Sequence, residues 1–287
     1  MTYCLGIKVN DGLVLASDSR TNAGVDYVSV YNKMYRFDNL ADRIFVIVTS
    51  GNLSISQAVI HQLRRDIEGP PTLTTLASVA HIYDAANYIG QVSQRTQQQY
   101  GTGLSQGGIN GDAYFIIGGQ ISGQAPELYL VYAQGNCISP SQENPFLQIG
   151  ETKYGKPILD RVITPTTTLE DAARAALVSI DSTIRSNITV GPPVELAIIK
   201  DQSLQVNHYL KLDENDIFHR SVQQHWNEGV RNAFTTLPRF PWESCASGAA
   251  EMIVNDQTAV PQNGPPQTLV TGQLQEVSEQ CWSQQFR

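Results

Sequence analysis

The sequence predicts an α+β fold: two antiparallel sheets packed together, with helices outside. Three observations carry it. Short apolar segments come in pairs joined by turn signals, longer amphipathic segments come in separate blocks, and the blocks alternate as strands, helices, strands, helices, strands.

The first pair is set by Tyr3, Leu5, Ile7 and Val9, which alternate before the turn signal Asn10-Asp11-Gly12; residues 13–16 resume as a strand, giving a β-hairpin. Residues 21–26 are polar and turn-rich and are expected to border a substrate cleft. Residues 34–37 and 44–49 form a second hairpin about Asp38-Asn39, and its last strand is apolar on both faces, hence internal. Ile55, Val59, Ile60, Leu63 and Ile67 repeat at helical spacing, so residues 53–68 are a helix ending before Gly69-Pro70. A second, Ala-rich helix is expected over residues 73–98, then a glycine-rich loop over 101–111. That loop has no GxxxxGK[ST] ending and no strand before it, so it does not predict a phosphate site. Strands follow at 112–118, 127–131 and 146–149, and helices at 155–161 and 168–185. A closing hairpin is expected at 194–200 and 203–209, then a helix over 213–234. From residue 244 the chain turns to Gln, Pro, Gly and Ser, so residues 1–242 read as one domain and 243–287 as a mostly disordered extension.

Composition excludes several function classes. The chain has 287 residues, 41% hydrophobic and 16% charged, with a formal net charge of -8. An acidic chain without a basic patch argues against nucleic-acid or anionic-membrane binding. Neither a signal peptide nor a spanning segment is evident, and a cytoplasmic location is expected. Cys4, Cys137, Cys245 and Cys281 form no CxxC pair, and the five histidines have no carboxylate at metal-ligand spacing, so no metal and no cofactor is expected.

The candidate chemistry sits at the start. Removal of Met1 is expected because Thr2 is small, and it would put a hydroxyl and a free α-amine on one residue. A threonine hydroxyl is a weak nucleophile until a base takes its proton, and an α-amine with a reference pKa near 8 can be that base. Lys33 would lower the amine pKa and stabilise the deprotonated oxygen, and a buried Asp18 would hold Lys33 charged and in place. Gly51, where a strand runs into a helix N-terminus, offers a backbone N–H for an oxyanion. Taken singly, each residue has an ordinary reading as a turn or surface residue; together, at these spacings, they point to a catalytic site.

The string Thr2-Tyr-Cys-Leu-Gly-Ile-Lys, then Asp11-Gly-Leu-Val-Leu-Ala-Ser-Asp18-Ser-Arg20, then Lys33-Met-Tyr-Arg resembles proteasome β-type subunits, which carry Thr, Asp and Lys in this order. Ile149-Gly-Glu-Thr-Lys-Tyr-Gly-Lys-Pro-Ile-Leu-Asp160, Val190-Gly-Pro-Pro-Val-Glu-Leu196 and Leu237-Pro-Arg-Phe-Pro-Trp242 are similar to the bacterial proteasome-like peptidases called Anbu. The resemblance implies the four-layer αββα sandwich of the N-terminal nucleophile hydrolases and an N-terminal threonine peptidase. It also implies peptide or protein substrates, self-assembly into a ring or helical turn, and an unfoldase or other activator as a possible partner. A small-amide hydrolase on the same fold and a noncatalytic assembly subunit are the alternatives. Proteasome subunits usually have a Ser where Glu151 stands, and an Asp and a Ser where Asn187 and Val190 stand. Those family residues position the threonine amine, a role for which Glu151 and Asn187 are the candidates here.

Overall fold

The computed structural model describes residues 2–22, 28–70 and 74–243. The chain divides into two compact units, residues 1–227 and residues 228–287. The expected extension from residue 243 lies, but for its first residue, outside the described residues.

All the described strands belong to the first unit. They are β1 (Tyr3–Val9), β2 (Gly12–Ser17), β3 (Arg20–Asn22), β4 (Val28–Val30), β5 (Met34–Phe37) and β6 (Arg43–Gly51). After the helices α1 (Leu53–Ile67) and α2 (Ile82–Gln106) come β7 (Ala113–Ile121), β8 (Glu127–Val131), β9 (Cys137–Ile138) and β10 (Phe146–Gly150). The chain continues through α3 (Lys156–Val162), α4 (Leu169–Ser186), β11 (Val194–Lys200), β12 (His208–Leu212) and α5 (Ile217–Thr235). One five-stranded sheet has the order β10-β1-β2-β11-β12, the other β5-β6-β7-β8-β9, and β3-β4 is a separate ribbon. Every pairing is antiparallel.

Strand periodicity of two explains the layering. Along β1, Tyr3, Leu5, Ile7 and Val9 pack against α3 and α4 residues such as Leu159, Ala172 and Ala176, whereas Cys4 turns to the other face. Between the sheets lie Leu13, Leu15 and Ala197 from one and Val46, Val48 and Ile116 from the other. Phe45 and Ile47 point instead to Ile55, Val59 and Ile89 of α1 and α2. Apolar residues on both faces of β6 thus place it inside, as expected, and the sandwich has four layers: α1/α2, sheet, sheet, α3/α4. Each Leu or Ile so removed from water contributes on the order of 1.5–3 kcal/mol.

Four expected boundaries are corrected. The second helix begins at Ile82 rather than near residue 73. Thr75 and Ser78 bond locally there, with Thr75 N–H donating to Ser78 Oγ at 2.9 Å, and Arg43 Nη1 donates to the Val79 carbonyl at 2.6 Å. Leu76 and Val79 are therefore buried by a turn whose backbone groups are satisfied without a helix. The same helix runs on to Gln106, through part of the expected glycine loop; a Cβ at Gly101 or Gly103 would meet nothing within 4 Å, so packing does not oppose the helix. Strand β12 starts at His208 rather than 203, because Ser203 Oγ donates to the Lys200 carbonyl at 2.7 Å and Asn207 Oδ1 takes the Lys200 N–H at 2.7 Å, closing a loop. Helix α5 starts at Ile217 rather than 213, after Asp216, whose carboxylate caps the His219 N–H at 2.8 Å. The expected loop at 21–26 begins inside β3, which pairs with β4 as a ribbon, and residues 23–27 lie outside the described residues.

Candidate active site

Thr2 enters the fold at the edge of β1, where its carbonyl accepts the Glu151 N–H at 2.8 Å. It is buried, at 8% exposure, and Met1 lies outside the described residues. Asp18 stands across the β1–β2 pair from it. The Asp18 N–H donates to the Tyr3 carbonyl at 3.1 Å, while Asp18 Oδ1 accepts the Tyr3 N–H at 3.1 Å.

Two further partners complete the Asp18 carboxylate. Lys33 Nζ donates to Oδ1 at 2.8 Å, and the Gly191 N–H donates to Oδ2 at 3.1 Å. Lys33 Nζ also donates to the Arg20 carbonyl at 2.5 Å, so two of its three N–H bonds are used. The Lys33 and Asp18 side chains are 4% and 0% exposed. Burial pushes the Asp18 carboxyl up, and the Lys33 ammonium, with the Tyr3 and Gly191 amides, opposes that rise. Arg20 reaches the same loop from the other side: its Nη1 donates to the Ile188 carbonyl at 2.9 Å, and a Cβ on Gly191 would lie 2.3 Å from its guanidinium carbon.

Gly51 ends β6 with φ +97°, a backbone region that favours glycine, and an added Cβ would meet the Asp112 carbonyl oxygen at 2.3 Å. Asn52 then caps α1, its Oδ1 accepting the N–H groups of Ser54 and Ile55 at 3.0 and 3.2 Å. Thr2, Lys33 and Gly51 share the wall of one cavity of about 330 Å³ with Thr21, Ser50 and Gly150. Local sequence thus delivers a threonine, a lysine and a strand-to-helix glycine to one place, with Asp18 behind the lysine. Of the residues 21–26 expected to border a cleft, Thr21 lines this cavity and residues 23–26 lie outside the described residues.

Glu151 and Asn187 also come together. Asn187 Nδ2 donates to Glu151 Oε2 at 2.7 Å, and Lys153 Nζ lies 3.2 Å from Glu151 Oε1. Asn187 is itself oriented by Thr189, whose N–H and hydroxyl donate to its Oδ1 at 3.0 and 2.6 Å. Glu151 is buried, and its main chain holds Thr2.

Sequence reasoning missed several contributors. Gly150 has φ +84°, and a Cβ there would lie 1.9 Å from the Thr2 carbonyl oxygen; a glycine ending a strand was the visible signal. Tyr3 carries its phenol to Ser179 Oγ at 2.7 Å and to Gln148, and burial pushes its pKa up to about 12, so it acts as a neutral strut under the Thr2 strand. Cys4 is fully buried, and its thiol pKa is pushed well above the ordinary value, first by burial and then by Asp18, so it is not a thiolate nucleophile. Among the described residues no three His, Cys, Asp or Glu side chains group as a metal site, and no helix is long and apolar enough to cross a membrane.

A family model described as Proteasome subunit matches residues 2–199. Anbu, an ancestral beta-subunit, from Yersinia bercovieri is 36% identical with a TM-score of 0.77, over 83% of this chain and 98% of that one. The helical assembly of the Anbu complex from Pseudomonas aeruginosa supplies a chain 40% identical, TM-score 0.78, over 83% of this chain and 98% of that one. A proteasome subunit beta from Haloquadratum walsbyi is 20% identical over 74% of this chain and 79% of its own length.

Proposed function

The chain belongs to the proteasome subunit family, in its Anbu branch, and from that premise we propose that it is an N-terminal threonine peptidase. The observation that carries the proposal is the Lys33 ammonium, fixed between Asp18 and the Arg20 carbonyl and facing the cavity that Thr2 borders. Once Met1 is removed, Thr2 Oγ attacks the carbonyl carbon of a peptide bond while its proton passes to the Thr2 α-amine. Lys33 stabilises the oxygen that loses the proton, and the Gly51 N–H stabilises the tetrahedral oxyanion. The C–N bond breaks, the departing amine takes the proton, and an ester on Thr2 remains. Water, activated by the same amine, then hydrolyses the ester. Asp18 keeps Lys33 charged and placed, and the Asn187–Glu151 pair orients the amine and its water.

The family relatives support self-assembly, one of them being described as helical, and we extend this to the present chain as a ring or helical turn acting in the cytoplasm on peptide or protein substrates. Sedimentation of the purified protein tests it: a species that stays at the mass of one chain across the concentration range sinks the assembly claim.

Intact mass before and after a peptide epoxyketone, followed by peptide mapping, tests the chemistry. The expected result is a chain that begins at Thr2 and carries one adduct there, absent in Lys33→Ala. Retained Met1, or a free Thr2 that never reacts, overturns the proposal.

A further inference from the structure

We infer that the Ser50 hydroxyl holds the water that releases the product, which makes Ser50 a further catalytic residue of the second step. The inference rests on the threonine-peptidase reading and adds a residue to it.

Along β6, Val46 and Val48 lie between the sheets, so the period of two turns Ser50 to the same side, toward the sheet that carries Thr2. The contacts agree. A Cβ on Gly150 would lie 3.1 Å from Ser50 Oγ, and 1.9 and 2.8 Å from the Thr2 carbonyl oxygen and carbon. Ser50 Oγ and the Thr2 main chain thus close round one point, on the wall of the cavity that Ser50, Gly150 and Thr2 share. The other hydroxyls of that wall are committed or out of reach. Ser56 Oγ donates to the Leu53 carbonyl at 3.0 Å, Thr21 Oγ1 is sealed from the cavity, and Thr49 falls on the opposite face of β6, with Phe45 and Ile47. Ser50 Oγ has no hydrogen-bond partner among the described residues and is not one of the sealed hydroxyls.

Its neighbour serves another direction. The Thr49 N–H donates to the Lys33 carbonyl at 2.9 Å, so the Gly51 N–H, two residues on, leaves the same edge of the strand, in the plane of the sheet. The Ser50 side chain stands out of that plane, so the oxyanion donor and this hydroxyl are aimed at different atoms. A hydroxyl beside the Thr2 main chain matters in one step. In acylation the Thr2 proton goes to the α-amine of its own residue, with no water needed. In the second step a water has to be held near that amine. One of its O–H bonds donates to the amine nitrogen, and the other needs an acceptor, so that a lone pair faces the ester carbon. Ser50 Oγ is that acceptor. The water oxygen bonds to the carbon and its proton passes to the amine. As the bond from the carbon to Thr2 Oγ breaks, Thr2 Oγ takes the proton back and the carboxylic acid leaves.

The test uses the full-length protein with Thr2 free by mass and a blocked peptide p-nitrophenyl ester, whose leaving group makes acylation fast and lets the acyl-enzyme accumulate. The burst of nitrophenolate reads acylation, and loss of the adduct mass after excess ester is removed reads deacylation. In Ser50→Ala the burst rate is expected to stay within about threefold while the adduct decays at least about tenfold more slowly, the rate equivalent of one lost hydrogen bond. Ser50→Thr keeps the hydroxyl, and its adduct is expected to decay within about threefold of the parent rate. A Ser50→Ala adduct that decays at the parent rate overturns the inference. So does an equal fall in both steps, because the residue then only holds the strand, and so does a Ser50→Thr adduct as long-lived as that of Ser50→Ala. Each of these leaves the peptidase reading standing. A parent protein that gives no burst and no adduct on Thr2 overturns that reading, and the inference with it.

Discussion

Asn187 Nδ2 donates to Glu151 Oε2 at 2.7 Å, while the Glu151 N–H holds the Thr2 carbonyl at 2.8 Å. One residue therefore grips the candidate nucleophile by its main chain while Asn187 orients its carboxylate. If that carboxylate sets the amine, Glu151→Ala lowers the rate of Thr2 acylation by about 10²-fold, the low end of what general acid–base catalysis contributes. Asn187→Ala, which leaves the carboxylate but frees it to turn, has a smaller effect. Single-turnover labelling by a β-lactone across pH 6–9 is the measurement. An unshifted pH profile in both variants removes the pair from the mechanism.

Lys33→Ala leaves Asp18 without its cation in a site where both side chains are at most 4% exposed. Removing one partner of a buried pair costs about 3–5 kcal/mol, and acylation should drop on the order of 10³-fold or more. With Lys33 gone, nothing but amides opposes the burial that already raises the Asp18 pKa. The folded variant then holds a proton that the unfolded chain has released, so its stability rises as pH falls toward the ordinary carboxylate range. Asp18→Asn/Lys33→Ala should recover much of the stability and none of the activity. Urea unfolding at pH 5 and pH 8 checks both signs.

Gly150→Ala meets two obstacles together: φ +84°, and a Cβ 1.9 Å from the Thr2 carbonyl oxygen. The chain has to move at the residue that bears the nucleophile, so a loss of about 2 kcal/mol or more and a near-complete loss of acylation are expected. Gly101→Ala is the control. It lies in α2 with open space around it, and it should gain roughly 0.5–1 kcal/mol while labelling at the normal rate.

Asp181 is buried on α4, and Gln223 Nε2 of α5 donates to it at 2.6 Å. Burial pushes its pKa up, opposed in order by the Gln223 bond, Arg185 and His219. Between the ordinary carboxylate pKa and the raised one, the native state binds more protons than the unfolded chain, so this group's contribution falls as pH rises through the folded pKa. Asp181→Asn keeps an acceptor for Gln223 and removes the ionisation. It should be the more stable protein at pH 7.5, with the gap closing toward pH 4; thermal melts at the two pH values decide it.

Much of this fold was legible because it is built from local pairs. The β1–β2 and β5–β6 hairpins follow from alternation around polar turns, and α1 and α4 from apolar residues at helical spacing above a cap, Asn52 or Thr168. The errors fell where side chains compete with backbone periodicity: Thr75 and Ser78 unmake the first turns expected of α2, and Asn207 and Ser203 hold a loop where a strand was expected.

The sequence by itself determined that Asp18 and Lys33 flank a strand end close to Thr2, since two short hairpins fix their separation and the period of two fixes their face. Only the tertiary structure decided what surrounds them. The Gly191 amide reaches Asp18 across 173 residues, and Asn187 reaches Glu151 across 36. Gly150 lies against Thr2 because β10 pairs with β1 in the register Tyr3 to Gly150. Local periodicity tells a strand which face to bury and not which strand to lie beside. That choice comes from the burial of whole sheets against one another, and it sets the wall of the cavity and the partners of the Thr2 residue.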